Sequence, residues 1–120
     1  MLYEELSGMV IGAAMEVHKR LGSGFLESVY EHALALELAE RQIPFETQAP
    51  ITVVYKQVQI REYRPDFLVD RKMILEIKAT NALIAEHYAQ VLHYLTATGL
   101  RLALLLNFGG RSLQFKRVIR

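Results

Sequence analysis

A mixed α/β domain is the fold class that this 120-residue sequence predicts, in the order helix, helix, three strands, helix, strand, strand. Three observations predict it. Apolar residues recur at intervals of three and four over residues 3–20 and 25–41, as in helices with one buried face. From Phe45 onward the pattern becomes strand-like, in short runs broken by turn residues. Leu102 to Phe108 (LALLLNF) is then a continuous apolar run, as in a strand buried on both faces of a sheet.

In the first helix Leu6, Met9, Val10, Ala13, Ala14 and Val17 draw the apolar stripe. Glu4 and Glu5 stand at its start and Lys19 and Arg20 at its end, as the helix dipole prefers. Leu21-Gly22-Ser23-Gly24 closes it, because glycine admits the left-handed conformation of a helix terminus. The second helix, 25–41, stops before Pro44 and presents Leu26, Val29, Tyr30, Ala33, Leu34 and Leu38. Glu27 lies at the edge of that face and Glu31 just beyond it. Glu37 falls near its middle and requires a partner, which Arg41 supplies four residues later.

Residues 45–55 predict a strand with a break or bulge at Pro50. Lys56-Gln57 turns the chain into a strand from Val58 that continues through Arg64 to Val69. Asp70-Arg71-Lys72 is the next turn, and Met73–Ala79 the third strand. Thr80 or Asn81 caps a helix over about residues 83–98 that ends at Gly99. After the apolar run, Asn107-Phe108-Gly109-Gly110 turns the chain into an edge strand, Ser112–Ile119. With no linker, repeat or low-complexity stretch, residues 1–120 read as a single domain.

Composition narrows the chemistry. The chain has no cysteine, which excludes disulfides and thiolate metal sites and leaves oxygen or imidazole to hold any metal. Its first residues are acidic where a signal peptide is basic, and MVIGAAM is too short to cross a bilayer. The expectation is a soluble, cytoplasmic protein without a membrane partner. Net charge is only +1, but it is unevenly spread. Residues 1–50 carry −5, whereas residues 100–120 hold five bases and no acid. Arg111, Lys116 and Arg117 are therefore candidates for phosphate contact, against the plainer reading of a solvated basic face. No P-loop or glycine-rich dinucleotide turn is present.

The chemistry concentrates in Arg64–Thr80, RPDFLVDRKMILEIKAT. Glu76 and Lys78 alternate with Ile77 and so project to one side of a strand, roughly 6.6 Å apart. If Asp66 faces that side from the neighbouring strand, two carboxylates and an ammonium converge. Carboxylates suit a hard divalent cation, and a lysine beside them can orient water or stabilise charge on a phosphate. By itself the pattern is weak, since a hairpin with a solvated charged face has the same residues. On the following helix His87, Gln90 and Tyr94 share one face.

The order Pro65-Asp66, then Glu76-Ile77-Lys78, resembles the signature of the PD-(D/E)xK nuclease superfamily. With the first helix and last strand set aside, the elements read αβββαβ, similar to the restriction-endonuclease-like core of that superfamily. Gln90 and Tyr94 have the spacing of the Gln-x-x-x-Tyr motif of its RecB-type exonuclease branch. Gly24-Phe25-Leu26-Glu27-Ser28-Val29-Tyr30 resembles the Gly-x-x-Glu-x-x-Tyr segment that names the GxxExxY family of small bacterial proteins. Val17-His18, Leu21-Gly22, LLLNFGG and PDFLVD…LEIKA are similar to that family too.

The resemblance implies a metal-dependent nuclease. Asp66, Glu76, Lys78, Gln90 and Tyr94 would be catalytic. Asp66, Glu76, the Ile77 carbonyl and Glu27 would hold Mg²⁺ or Mn²⁺, with His87, Tyr30 and Glu31 in a second tier. The expected partner is nucleic acid, DNA in preference to RNA, with a homodimer or larger protein partner also implied by the small size. The rival expectation is a catalytically silent nuclease-fold module that binds nucleic acid or a partner protein.

Overall fold

The computed structural model describes residues 1–120. Its elements are α1 (Glu4–Leu21), α2 (Glu27–Glu40), β1 (Phe45–Thr47), β2 (Ile51–Tyr55), β3 (Val58–Tyr63), β4 (Phe67–Val69), β5 (Met73–Lys78), α3 (Ala85–Thr98), β6 (Leu102–Asn107) and β7 (Gln114–Ile119). Five strands form one sheet in the order β1-β4-β5-β6-β7. Only β5 and β6 run parallel, because α3 carries the chain back between them. The series α2-β1-β4-β5-α3-β6 is the expected αβββαβ core, with α1 added before it and β7 after it.

The strands before α3 number five rather than three. Gln48 adopts a left-handed backbone (φ 53°) and Pro50 follows it, so the predicted strand 45–55 divides into β1 and β2. Pro65 cannot donate to a ladder, and the predicted strand 58–69 divides there into β3 and β4. The result is a separate hairpin, β2–β3, that leaves the main sheet between β1 and β4. Its turn, Lys56-Gln57, has positive φ at both central residues (49° and 69°), the hairpin geometry whose twist matches that of the strands.

Alternation along β5 and β6 builds two cores. Met73, Leu75 and Ile77 with Leu102, Leu104 and Leu106 face α1 and α2, where Val10, Ala13, Ala14, Val17, Tyr30, Leu34 and Leu38 meet them. Ile74, Ala103 and Leu105 face the other way, onto Val91, Tyr94 and Leu95 of α3 and Ile51 of the hairpin. All six residues of β6 are buried, as its unbroken apolar run predicts. Three members of the predicted helical stripes, Met9, Leu26 and Val29, are instead exposed. Glu37 is held by Arg41 Nε at 2.8 Å. No helix is long and apolar enough to cross a membrane.

Behind the sheet's C-terminal end a polar and aromatic strut fixes the loops. Tyr30, fully buried, stacks on Phe108 at 4.6 Å and donates its hydroxyl to Gly22 O at 2.6 Å. The same hydroxyl accepts from Phe25 N at 3.3 Å. His18 Nε2 lies 2.9 Å from Gly110 O. Asn107 accepts from Thr80 N and donates to Thr80 O, both at 3.0 Å, so it clamps the chain just after β5. Gly109 passes so close to the Thr80 backbone that a Cβ there would overlap it.

Candidate active site

Asp66 stands one residue before β4, and its neighbour β5 presents Glu76 and Lys78 to the face covered by α3. Backbone amides tie the two acids together. Asp66 N donates to Glu76 Oε1 at 2.9 Å, and Ile77 N donates to Asp66 Oδ2 at 2.7 Å. Lys78 Nζ lies 3.9 Å from Glu76 Oε2 and donates to Gln90 Oε1 at 3.1 Å. Gln90 Nε2 in turn donates to Tyr94 Oη at 3.0 Å. Four residues apart on α3, Gln90 and Tyr94 share a face, so one line of hydrogen bonds runs from the phenol through the amide to the ammonium.

Glu31 completes the acidic group from α2. It forms a carboxyl–carboxylate hydrogen bond with Asp66, and this bond, with burial and the Asp66 charge, pushes its pKa up to about 8. Glu76 is only 4% exposed. Burial, followed by the Asp66 charge, raises its pKa to about 8 as well, and Lys78 offsets this only in part. Exposed Glu27 adds negative field to both. Tyr94 is shifted upward by burial and by the Glu76 charge, which keeps its hydroxyl protonated at neutral pH.

The residues read from the sequence thus divide. Asp66, Glu76, Lys78, Gln90 and Tyr94 come together, with the Ile77 backbone between the acids. Glu31, from the second tier, makes direct contact, whereas Glu27 acts at longer range. Tyr30 is part of the strut and holds the loop that precedes α2. His87 turns its Nδ1 to the start of α3 and accepts from Ile84 N at 3.1 Å. Arg117 is engaged with Ser7 Oγ and Leu2 O, pinning α1 to β7, while Arg111 and Lys116 are exposed. Gln48, which the sequence did not single out, sets its amide 3.5 Å from Asp66 Oδ1. Its signal was faint, because a polar residue before Pro50 reads as an ordinary turn.

No three His, Cys, Asp or Glu side chains stand in a ready metal-binding arrangement. The donor set nevertheless fits a divalent cation. Three carboxyl groups gather there with positive charge only at Lys78, 3.9 Å from Glu76; the hydrogen bond to Asp66 pushes the Glu31 pKa up to about 8, and burial does the same for Glu76. A hard cation taking oxygen ligands would supply further positive charge.

The model of the PD-(D/E)XK nuclease superfamily matches residues 4–118. The chain belongs to that superfamily. Its fold is shared with SSO0001, at a TM-score of 0.62 and 15% identity over 98% of this chain and 57% of that one. It is shared also with LHK-Exo in complex with dAMP, at a TM-score of 0.57 and 18% identity over 92% of this chain and 68% of that one. A second LHK-Exo structure, of the alkaline exonuclease from Laribacter hongkongensis, aligns at a TM-score of 0.48 and 16% identity, over 92% of this chain and 68% of that one. This chain spans little more than half the length of SSO0001. No curated protein matches it. Members of the PD-(D/E)XK superfamily generally use divalent metals.

Proposed function

We propose that this protein is a Mg²⁺- or Mn²⁺-dependent nuclease that hydrolyses phosphodiester bonds, of DNA in preference to RNA. One observation carries the reading: Asp66, Glu76 and Lys78 meet in the superfamily's order, with Lys78 held by Gln90 and Gln90 by Tyr94. The GxxExxY-type segment supports it, since Tyr30 braces the loop before α2, the helix that carries Glu27 and Glu31.

Asp66 and Glu76 would hold the cation, together with the Ile77 carbonyl and with Glu31 or Glu27. When bound, the cation supplies Lewis acidity and lowers the pKa of a coordinated water. The chain's own residues do the rest. Lys78 keeps N–H donors beyond the one given to Gln90, and these can orient the attacking water or meet charge developing on the phosphate. Tyr94, protonated and receiving a bond from Gln90, has its own O–H free to donate to a phosphate oxygen. Burial of the face beneath α3 strengthens both contacts by removing competing water.

A catalytically silent module is the second reading. In its favour, one oxygen of Asp66 and one of Glu76 are already engaged by backbone amides. Self-association through the free edge of β7 or the exposed side of α1 would suit that role. The deciding experiment incubates the protein with single- and double-stranded DNA and RNA, with Mg²⁺, Mn²⁺ or EDTA, beside Lys78→Ala. Metal-dependent cleavage absent from the variant supports the nuclease. Binding without cleavage under every condition overturns it in favour of the module.

A further inference from the structure

The β2–β3 hairpin has no packing partner at its tip. Val54, Tyr55, Val58 and Ile60 are 58%, 60%, 60% and 57% exposed, in a chain whose other large apolar side chains mostly fill two cores. Around them the charge is positive. Lys56 Nζ sits 5.4 Å over the Tyr55 ring, and exposed Arg61 stands on the neighbouring strand. The hairpin's one acid, Glu62, is taken by Arg64 at 3.2 Å. Lys56 and Arg61 have no acidic partner.

The base of the same hairpin abuts the candidate active site. Tyr63 packs against His93 at 4.5 Å and against Tyr94 at 5.9 Å between ring centroids. The tip reaches roughly 17 Å beyond Tyr63 along β3. It therefore lies too far away to touch the reacting phosphate, yet on a continuous surface with it.

We propose that the β2–β3 hairpin is a nucleic-acid-binding arm that holds unpaired nucleotides several positions from the scissile bond, with Tyr55 stacking on a base and Lys56 and Arg61 against phosphates. Exposed aromatic and aliphatic side chains interleaved with unpaired cations suit a single strand, whose bases need apolar faces and whose backbone needs positive charge. The proposal rests on the nuclease reading for its choice of ligand and extends it to how substrate is gripped.

The test measures anisotropy of a fluorescein-labelled single-stranded 20-mer in EDTA, where binding is read without cleavage. Three variants are compared with wild type: Tyr55→Ala, Lys56→Ala/Arg61→Ala, and a shortened hairpin in which residues 54–60 become Asn-Gly between the paired Val53 and Arg61. Tyr55→Ala should weaken binding about tenfold. The double variant should reduce the slope of log affinity against log salt by about 1.5. Cleavage of a trinucleotide should stay at the wild-type rate, while cleavage of the 20-mer should lose affinity in step with binding. Wild-type affinity and salt slope in all three variants would overturn the arm and leave the nuclease standing. Binding that depends on the hairpin, without cleavage of any substrate, would overturn the nuclease and leave the arm. A wild-type dimer that the shortened hairpin turns into a monomer would overturn the arm by giving the tip to a second copy.

Discussion

Asp66 and Glu76 are bound to each other's strands: the Asp66 amide donates to the Glu76 carboxylate at 2.9 Å, and the amide after Glu76 donates to the Asp66 carboxylate at 2.7 Å. Two acids are thereby held together by groups that cannot neutralise a charge on either one. The arrangement survives because the sheet around it is well packed, with Leu75 and Ile77 fully buried on the opposite face of β5. Such a site stores electrostatic cost in the free protein and gives it back when positive charge arrives.

Glu76→Gln should separate that cost from the chemistry. The amide keeps the size and an acceptor for Asp66 N but carries no charge. Cleavage should fall at least about 100-fold, as for loss of a group that acts on transition-state charge. Thermal unfolding in EDTA at pH 8 should meanwhile shift upward by roughly 3 °C or more, in keeping with relief of a kcal/mol-scale penalty in a domain of this size. A lower Tm would mean that the Glu76 charge is stabilising.

Stability of the metal-free protein should decline with rising pH across the window from 4.5 to about 8. In the unfolded chain Glu31 and Glu76 ionise near their ordinary value of 4.5, whereas the folded chain keeps them protonated to about 8. Within the window the folded state binds more protons, so each step upward in pH favours unfolding. Denaturant midpoints at pH 5 and pH 8 in EDTA test this, and saturating Mg²⁺ should shrink the difference because metal replaces the protons. A midpoint that rises toward pH 8 in EDTA would contradict the raised values.

Much of this is legible in the sequence alone. Period and apolar runs locate α1, α2, α3 and β6 because each has one dominant packing environment, on one face for the helices and on both for β6. The Glu76-Ile77-Lys78 alternation places two side chains on one face by strand geometry alone. The β2–β3 hairpin was not legible as a separate sheet. Its strand pattern is the same whether it continues β1 and β4 or leaves them, and the divergence depends on the left-handed Gln48 and on where Pro65 meets Asp66. The weight of Glu31 over Glu27 was equally hidden. Both lie one turn apart on α2, and only the docking angle of that helix decides which reaches Asp66.

Gln90→Leu tests the hydrogen-bonded line to Lys78. The leucine preserves volume but releases the ammonium and leaves Tyr94 Oη without its donor. The turnover rate should fall by about tenfold to 100-fold, within the range for a misplaced catalytic group, and less than in Lys78→Ala. KM should change little, because the loss falls on positioning rather than on the strand held outside the site. Single-turnover rates of the two variants on one substrate measure the order. Equal rates for Gln90→Leu and wild type would show that Lys78 is oriented by Glu76 alone.

Gly109→Ala and Tyr30→Phe probe the strut from its two ends. An added Cβ at Gly109 meets the Thr80 backbone, which cannot rotate away. Destabilisation of about 3 kcal/mol is expected, at the upper end for overpacking. Thr80 follows Lys78 by two residues, so the substitution should also displace the lysine and slow cleavage. Tyr30→Phe keeps the stack on Phe108 but removes the hydroxyl bonds to Gly22 O and Phe25 N. A cost of about 1–2 kcal/mol is expected for these groups, together with a weaker metal affinity as the loop before Glu27 loosens. Denaturant unfolding reads the first quantity, and Mg²⁺ or Mn²⁺ titration followed by Tm reads the second. Should Tyr30→Phe lose stability while binding metal as wild type does, the tyrosine of the Gly-x-x-Glu-x-x-Tyr segment would serve folding alone, and α2 would present Glu27 and Glu31 without its help.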